Sequence, residues 1–397
     1  MTVVAVVLVV WPGASSPFGG PKWAVTVVAA ALALALLPRH ARRPDGVALA
    51  ALANLGVCLL SMVLGDGPSP WWTLAGPVLI ACFALAAVPM PWGAMVLAGG
   101  IAAAVVLLQS IGLDPFAALG PVAEGSRLGR YGTLGNPDFV ASVLGVTLPL
   151  GGFAALRTRF TGRQLAIASV VLQLLGLALL RSFATVLALG AATLVVLLAT
   201  ARGFRRRRVL ILAVALVLLA VPLLGRSAGS VIRGRFYLVA TAAPHVREAP
   251  LLGQGPGTVV RRWPVWELER WQERCGTDPA CVAAHPESRF AGLQDHLHDD
   301  WLERLLESGI VGLLALVALF GTTFVAALRS GTLEGVGVAA ALASLAARAT
   351  VDFPLARPAD LVLLAVLCGE AARLSRVVSV DDPHGSPGDS EDQGGDP

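Results

Sequence analysis

The sequence predicts an all-α, polytopic integral membrane protein of about twelve transmembrane helices with one long loop outside the membrane. Three observations carry that prediction. Of 397 residues, 56% are hydrophobic and only 14% charged, with a mean hydropathy of +0.73; about a quarter of a soluble domain is charged. Apolar runs of about 17 to 25 residues, the length that crosses a ~30 Å hydrocarbon core, recur along most of the chain. The basic clusters between spans, finally, all fall on one side.

In chain order the expected spans centre near Val7, Ala30, Gly56, Ile80, Val105, Val146, Leu172, Leu189, Val214, Val317, Ala341 and Leu364. The first is the shortest, with barely a dozen apolar residues before Pro12 and Gly13. Met1 to Val10 has no positively charged n-region and reads as part of that span rather than a secretory signal. Basic clusters follow at Arg39, Arg42 and Arg43, then Arg157, Arg159 and Arg163, then Arg202 with Arg205 to Arg208, and then Arg329, Arg373 and Arg376. With twelve spans each lands on one side, which short basic loops mark as cytoplasmic. The breaks at Asp66 to Pro70 and Asp352 to Pro358 fall opposite. The expected division is spans one to nine in 1–225, an external loop in 226–300, spans ten to twelve in 301–376, and a tail in 377–397. The tail, acidic and rich in Gly, Pro and Ser, reads as disordered.

The 226–300 loop holds as many arginines as acids, so it is not a polybasic arm for lipid, and no nucleic-acid partner is expected. Trp263, Trp266 and Trp271 alternate with Glu and Arg at helical spacing, which suggests an amphipathic helix on the membrane surface. Cys58, Cys82 and Cys368 sit in apolar runs as buried thiols. Cys275 and Cys281 share the loop, and a disulfide between them is plausible in an oxidising compartment.

Ionisable residues at membrane depth or at an external helix end are costly, which makes them functional candidates. Four groups stand out, all external. Arg181 with Ser182 lies at the junction of two apolar runs, although an arginine there can simply snorkel. Arg233 and Arg235 open a helix, where the dipole disfavours cations, and so suggest an anionic partner. Asp295, His296, His298, Asp299 and Asp300 precede the tenth span. Asp352 and Arg357 share a tight turn, where pairing with each other is as good a reading as a catalytic role. Two histidines beside aspartates suggest a metal site, but Trp301 stands where a further histidine ligand would be needed, so neither a metal nor a cofactor is expected. A single histidine acting as general base needs only one imidazole and a carboxylate to orient it. Either His296 or His298 fits that description.

The segment from His298 through Leu302, Glu307 and Gly309 to Gly312 resembles the signature of the O-antigen ligase/polymerase family. Gly234-Arg235 followed by Pro250, Gly253, Gly255 and Gly257 is similar to a second family stretch. Gly135-Asn136-Pro137 is similar to a third, and Arg181-Ser182 and Pro21-Lys22-Trp23 add weaker likenesses. The resemblance spans about residues 17 to 372. It implies a metal-independent, inverting membrane glycosyltransferase of GT-C type in the bacterial inner membrane, with its active face and long loop periplasmic. The implied donor is a glycan on undecaprenyl diphosphate, and the implied acceptor is lipid A-core or another glycan or protein. His298 matches the family's general base, Arg235 its diphosphate-holding arginine, and Arg181 an arginine at the mouth of the preceding spans. Arg233, His296, Asp299, Arg357 and Asp352 are the remaining candidates for substrate contact. Asp299 departs from the asparagine common in the family. A repeat-unit polymerase shares the same donor chemistry. A transporter or flippase of lipid-linked glycan is the alternative from another class, although transporters place their charges near the midplane.

Overall fold

The computed structural model describes residues 2–14, 16–41, 43–65, 70–119, 129–200, 226–285, 287–288, 292 and 294–380. Among them are fourteen α-helices and no strand. These are α1 (Thr2–Leu8), α2 (Gly20–His40), α3 (Gly46–Leu64), α4 (Ala75–Ala86), α5 (Trp92–Ser110), α6 (Pro137–Arg157) and α7 (Thr161–Leu180). They continue as α8 (Phe183–Thr200), α9 (Arg226–Ala242), α10 (Thr258–Cys275), α11 (Pro279–Ala284), α12 (Asp300–Arg329), α13 (Leu333–Ala349) and α14 (Pro358–Val380). Helices α2, α3, α5, α6, α7, α8 and α12 are long and apolar enough to cross a membrane. Every expected span centre except Val214 lies in a helix. Val214, Arg205 to Arg208 and the tail from Asp381 lie outside the described residues.

The first expected span is short among the described residues. Helix α1 has seven residues, about 10 Å at 1.5 Å per residue, because Pro12 and Gly13 end the apolar run. It packs against α2 and α5, and the carbonyls of Val7 and Val9 accept from Lys22 Nζ.

Helix starts follow local chemistry. Asp45 caps α3 by accepting from Ala48 N at 2.9 Å, Asn136 caps α6 ahead of Pro137, and Thr332 caps α13. Such side chains take up amide hydrogens that the first turn leaves without partners. At the bundle centre, the run from Ala359 to Ala372 of α14 is buried. The α13 run from Val338 to Leu342, mostly alanine, is buried as well, as expected where small side chains let helix backbones approach in a bilayer. The exposed leucines and valines of α2, α3, α7 and α12 form the outer surface.

The two ends differ. At one, Arg157 and Arg373 both pair with Glu334 (2.6 and 3.0 Å), and Arg376 pairs with Asp45 at 2.9 Å. At the other, the start of α6, the ends of α7 and α13, and the starts of α12 and α14 meet around His298.

Helices α9 to α11 fold over that second end on their own core. Tyr237, Leu238, Trp263, Trp266, Trp271, Leu297 and Leu306 are buried together, and Cys275 and Cys281 form a disulfide that ties α10 to α11. The expected helix is present as α10, but its tryptophans do not lie on a membrane surface. All three face inward, because Tyr237 and Leu306 supply an apolar partner within the protein.

The glycine-rich segment 250–257 is spliced into a break in α12. Gln254 N and Gly255 N donate to Leu306 O and Glu307 O at 2.9 Å, while Ile310 N and Val311 N donate to Pro250 O and Leu251 O. Gly309, at φ +63 and ψ −168 inside the helix, makes the break. A Cβ there would come within 2.2 Å of the Leu251 carbonyl, and one at Gly253 within 2.2 Å of the Glu307 backbone. The broken helix's freed groups thus find partners in a neighbouring segment, as buried backbone N–H and C=O groups must.

Candidate active site

The site is built on the few residues leading into α12. Asp299 Oδ1 caps that helix, accepting from Trp301 N and Leu302 N at 3.1 Å, and burial raises its carboxyl. One turn in, Glu303 accepts from Leu297 N at 2.9 Å and pairs with His296 Nδ1 at 2.7 Å. Leu297 is fully buried in the α9–α11 core. Held on both sides, His298 takes a left-handed backbone conformation, φ +55, uncommon outside glycine. Its Nδ1 lies 3.4 Å from Asp352 Oδ1, within ion-pair reach though not aligned for a hydrogen bond.

Asp352 stands just past α13 and is 2% exposed. Its Oδ2 accepts from Arg348 Nε at 3.0 Å and Nη2 at 2.7 Å, and from Arg357 Nη2 at 3.3 Å. Burial would raise this carboxyl, but Arg357, Arg348 and Arg235 together bring it down to about 2. Arg348 also donates to Thr185 Oγ1 and to Asp138 O, and Asp138 Oδ1 accepts from Ser182 Oγ at 2.6 Å. Four elements, α6, α8, α13 and the turn before α14, are thereby fixed around one carboxylate.

A second set of contacts ties the histidines to that turn. The Phe353 ring stacks on His296 (4.5 Å between centroids) and meets His298 edge-on at 4.6 Å. The Arg357 guanidinium lies over Phe139 and Phe353, and Asp300 Oδ2 accepts from Leu355 N at 2.8 Å. For His296, burial alone would lower the imidazole, but Glu303, with Asp300 and Glu307 beyond it, carries it up to about 9. Glu303 thus engages the Nδ1 of His296, and of the two imidazoles it is His298 whose Nδ1 faces Asp352.

Arg235 reaches the same cluster from α9. Burial pushes its guanidinium down to about 10, against the pull of Asp352 and Asp138, and its Nε is buried without a hydrogen-bond partner. A cavity of about 550 Å³ opens beside the histidines, lined by Lys22, His296, His298, Phe353, Arg357 and Asp360 among others. A second, of about 370 Å³, shares the His296 wall and runs down between α3, α4, α12 and α14.

Of the residues expected from sequence, His298, Asp352, Arg357, His296 and Arg235 converge. Asp352 and Arg357 do pair, as their spacing suggested, and the pair also carries His298. Arg181, in a left-handed C-cap, and Arg233, on α9, are exposed; in the first case it is the neighbour, Ser182, that joins the cluster. Arg348, Asp138 and Thr185 were missed. Arg348 had a legible signal, a lone arginine late in an apolar run. Among the described residues, one trio of His, Cys or acidic side chains is close enough to share an ion: Cys275, Cys281 and His285. Its two sulfurs are already joined in the disulfide.

No curated protein matches the chain. A family model described as O-antigen ligase matches residues 168–317, a stretch that holds Arg181, Arg233, Arg235 and His298 and stops short of Arg348 and Asp352. Through residues 168–317 the chain is thus similar to the O-antigen ligase family.

Proposed function

We propose that the protein transfers a glycan from undecaprenyl diphosphate to an acceptor hydroxyl on the periplasmic face of the bacterial inner membrane. One observation carries this reading. A histidine turned into a cavity has Nδ1 against a carboxylate held by two buried arginines, beside a third arginine with a vacant N–H. With Nδ1 facing Asp352, Nε2 is left to take the proton from the acceptor hydroxyl. The hydroxyl oxygen attacks the anomeric carbon, and the bond from that carbon to the diphosphate oxygen breaks. The electron pair leaves with the diphosphate.

Growing charge on that leaving group needs a cation that stays protonated and grips phosphate oxygens, and a guanidinium does both. Arg235 takes this role, with Arg181 and Arg233 adding positive charge outside it. Arg357 steadies the site through Asp352, and His296 positions Phe353 against His298. Asp299, by capping α12, holds the loop that carries His298. Attack opposite the leaving group inverts the anomeric configuration.

The test uses purified protein in lipid nanodiscs with a glycan on undecaprenyl diphosphate and a lipid A-core acceptor. Wild type should form the linkage with inversion, and His298→Ala should not. A retained configuration, or transfer unaffected by His298→Ala, would refute the mechanism. Ligase and polymerase are separated by the surface-glycan ladder of a deletion strain. Long chains stranded on undecaprenyl diphosphate mean ligase, and collapse to a single repeat means polymerase.

A further inference from the structure

Lys22, the chain's sole lysine, is 3% exposed in the first turn of α2. Its ammonium donates to Val9 O at 2.6 Å and to Val7 O at 3.2 Å. An ammonium has three protons, and two carbonyls do not neutralise its charge. No carboxylate pairs with it among the described residues. A buried cation without a counter-ion is costly, so its surroundings matter. Lys22 lines the 550 Å³ cavity that holds His298.

Arg357 lines the same cavity and is 5% exposed. Its Nη2 and Nε face Asp352 and Asp360, but its Nη1 is buried with no hydrogen-bond partner. Of the acids on this wall, Asp360 is engaged by Arg357 and Ser142, and Asp295 is exposed. Phe18, Trp23, Phe139 and Phe353 supply aromatic faces around these donors. Two buried nitrogen donors with hydrogens to spare, beside aromatic rings in one cavity, suit an anion attached to a sugar.

We infer that Lys22 and Arg357 form an anion subsite in the His298 cavity, which takes a phosphoryl group carried by a substrate. The subsite lies outside the segment matched by the family model. It deepens the transfer reading and rests on it only for what the phosphoryl group is attached to. Two sources share this chemistry, the diphosphate of the donor and a phosphate on the acceptor.

The competing role for Lys22 is to hold α1 through the Val7 and Val9 carbonyls. Lys22→Gln keeps a donor for those carbonyls and removes the charge, while Lys22→Arg keeps the charge. Calorimetric titration of inorganic pyrophosphate into nanodisc-embedded protein reads the subsite directly. Lys22→Gln should weaken binding about tenfold, the scale of one charge-assisted contact, with an unchanged Tm, and Lys22→Arg should restore most of it. Wild-type affinity in Lys22→Gln with a lowered Tm would reduce Lys22 to a structural tie and overturn the proposal. So would an absence of saturable pyrophosphate binding to wild type.

Transfer kinetics then assign the source. A raised KM for the lipid-linked donor alone puts the phosphoryl group on the donor, and a raised KM for the acceptor alone puts it on the acceptor. Pyrophosphate binding that depends on Lys22 in a protein with no transferase activity would sustain the subsite and sink the transfer reading.

Discussion

The left-handed backbone of His298 is forced by its neighbours, since Leu297 is locked in the core of the outer helices and Asp299 is committed to the α12 cap. This aims one imidazole at Asp352, while His296, two residues earlier, faces Glu303. His298→Ala should therefore reduce transfer by about 10²- to 10⁴-fold, the usual worth of a general base, with membrane levels and Tm unchanged. Asp352→Asn should do more damage to the fold. Removing one partner from a buried ion pair costs about 3–5 kcal/mol, so a Tm drop alongside lost activity is expected, and an unchanged Tm would contradict the role given to Arg348. His296 makes a separate, pH-dependent contribution. Its folded-state pKa of about 9 lies above the free imidazole's 6.5, so the stability it adds is complete below 6.5 and is lost as pH rises through 9. Tm measured across that window in detergent should fall, and His296→Gln should flatten the fall. A wild-type Tm that stays level there would mean the pair is not ionic.

At the scale of elements, the glycines of 250–257 and 309 were visible in the sequence as an ordered pattern, but what they approach was not. Only the folded chain shows that the segment replaces hydrogen bonds missing from a break in α12. Gly309 lies in a region of backbone space open essentially to glycine alone, and strain there costs about 1–3 kcal/mol before the clash with Leu251 is counted. Gly309→Ala should destabilise the protein strongly, as read by Tm or by loss from the membrane fraction. Gly321→Ala, in the same helix with nothing near its Cβ, should be neutral or mildly stabilising. Equal effects of the two would show that the splice carries no weight. The tryptophans of α10 teach a related lesson. Their spacing revealed a helix with an apolar stripe, but spacing cannot say whether lipid or protein covers that stripe. The partners Tyr237 and Leu306 are far away in sequence.

For the whole molecule, the pattern of apolar runs and short-loop arginines was enough to read the helical bundle and its two unlike ends. It was not enough for the site, because Asp138, Thr185 and the Arg348–Asp352 pair come from three separate stretches whose meeting depends on packing. The ends themselves make the last prediction. The Arg157–Glu334–Arg373 network sits at one end and the His298 cluster at the other, and basic short loops stay cytoplasmic. The α9–α11 layer must then face outward, where a disulfide between Cys275 and Cys281 can persist. Cysteines placed at exposed positions can test this, because the native free cysteines Cys58, Cys82 and Cys368 are buried. In intact spheroplasts an impermeant maleimide should label Leu268→Cys on α10 and leave Arg159→Cys, between α6 and α7, unlabelled until the membrane is opened. The reverse pattern would invert the protein in the membrane. Transfer from a periplasmic lipid diphosphate would then be impossible, since the base and the arginines would face the cytoplasm. Labelling of both positions in intact cells would break the two-ended bundle itself, because α6 carries the chain from the His298 cluster at Asp138 to the basic end at Arg157.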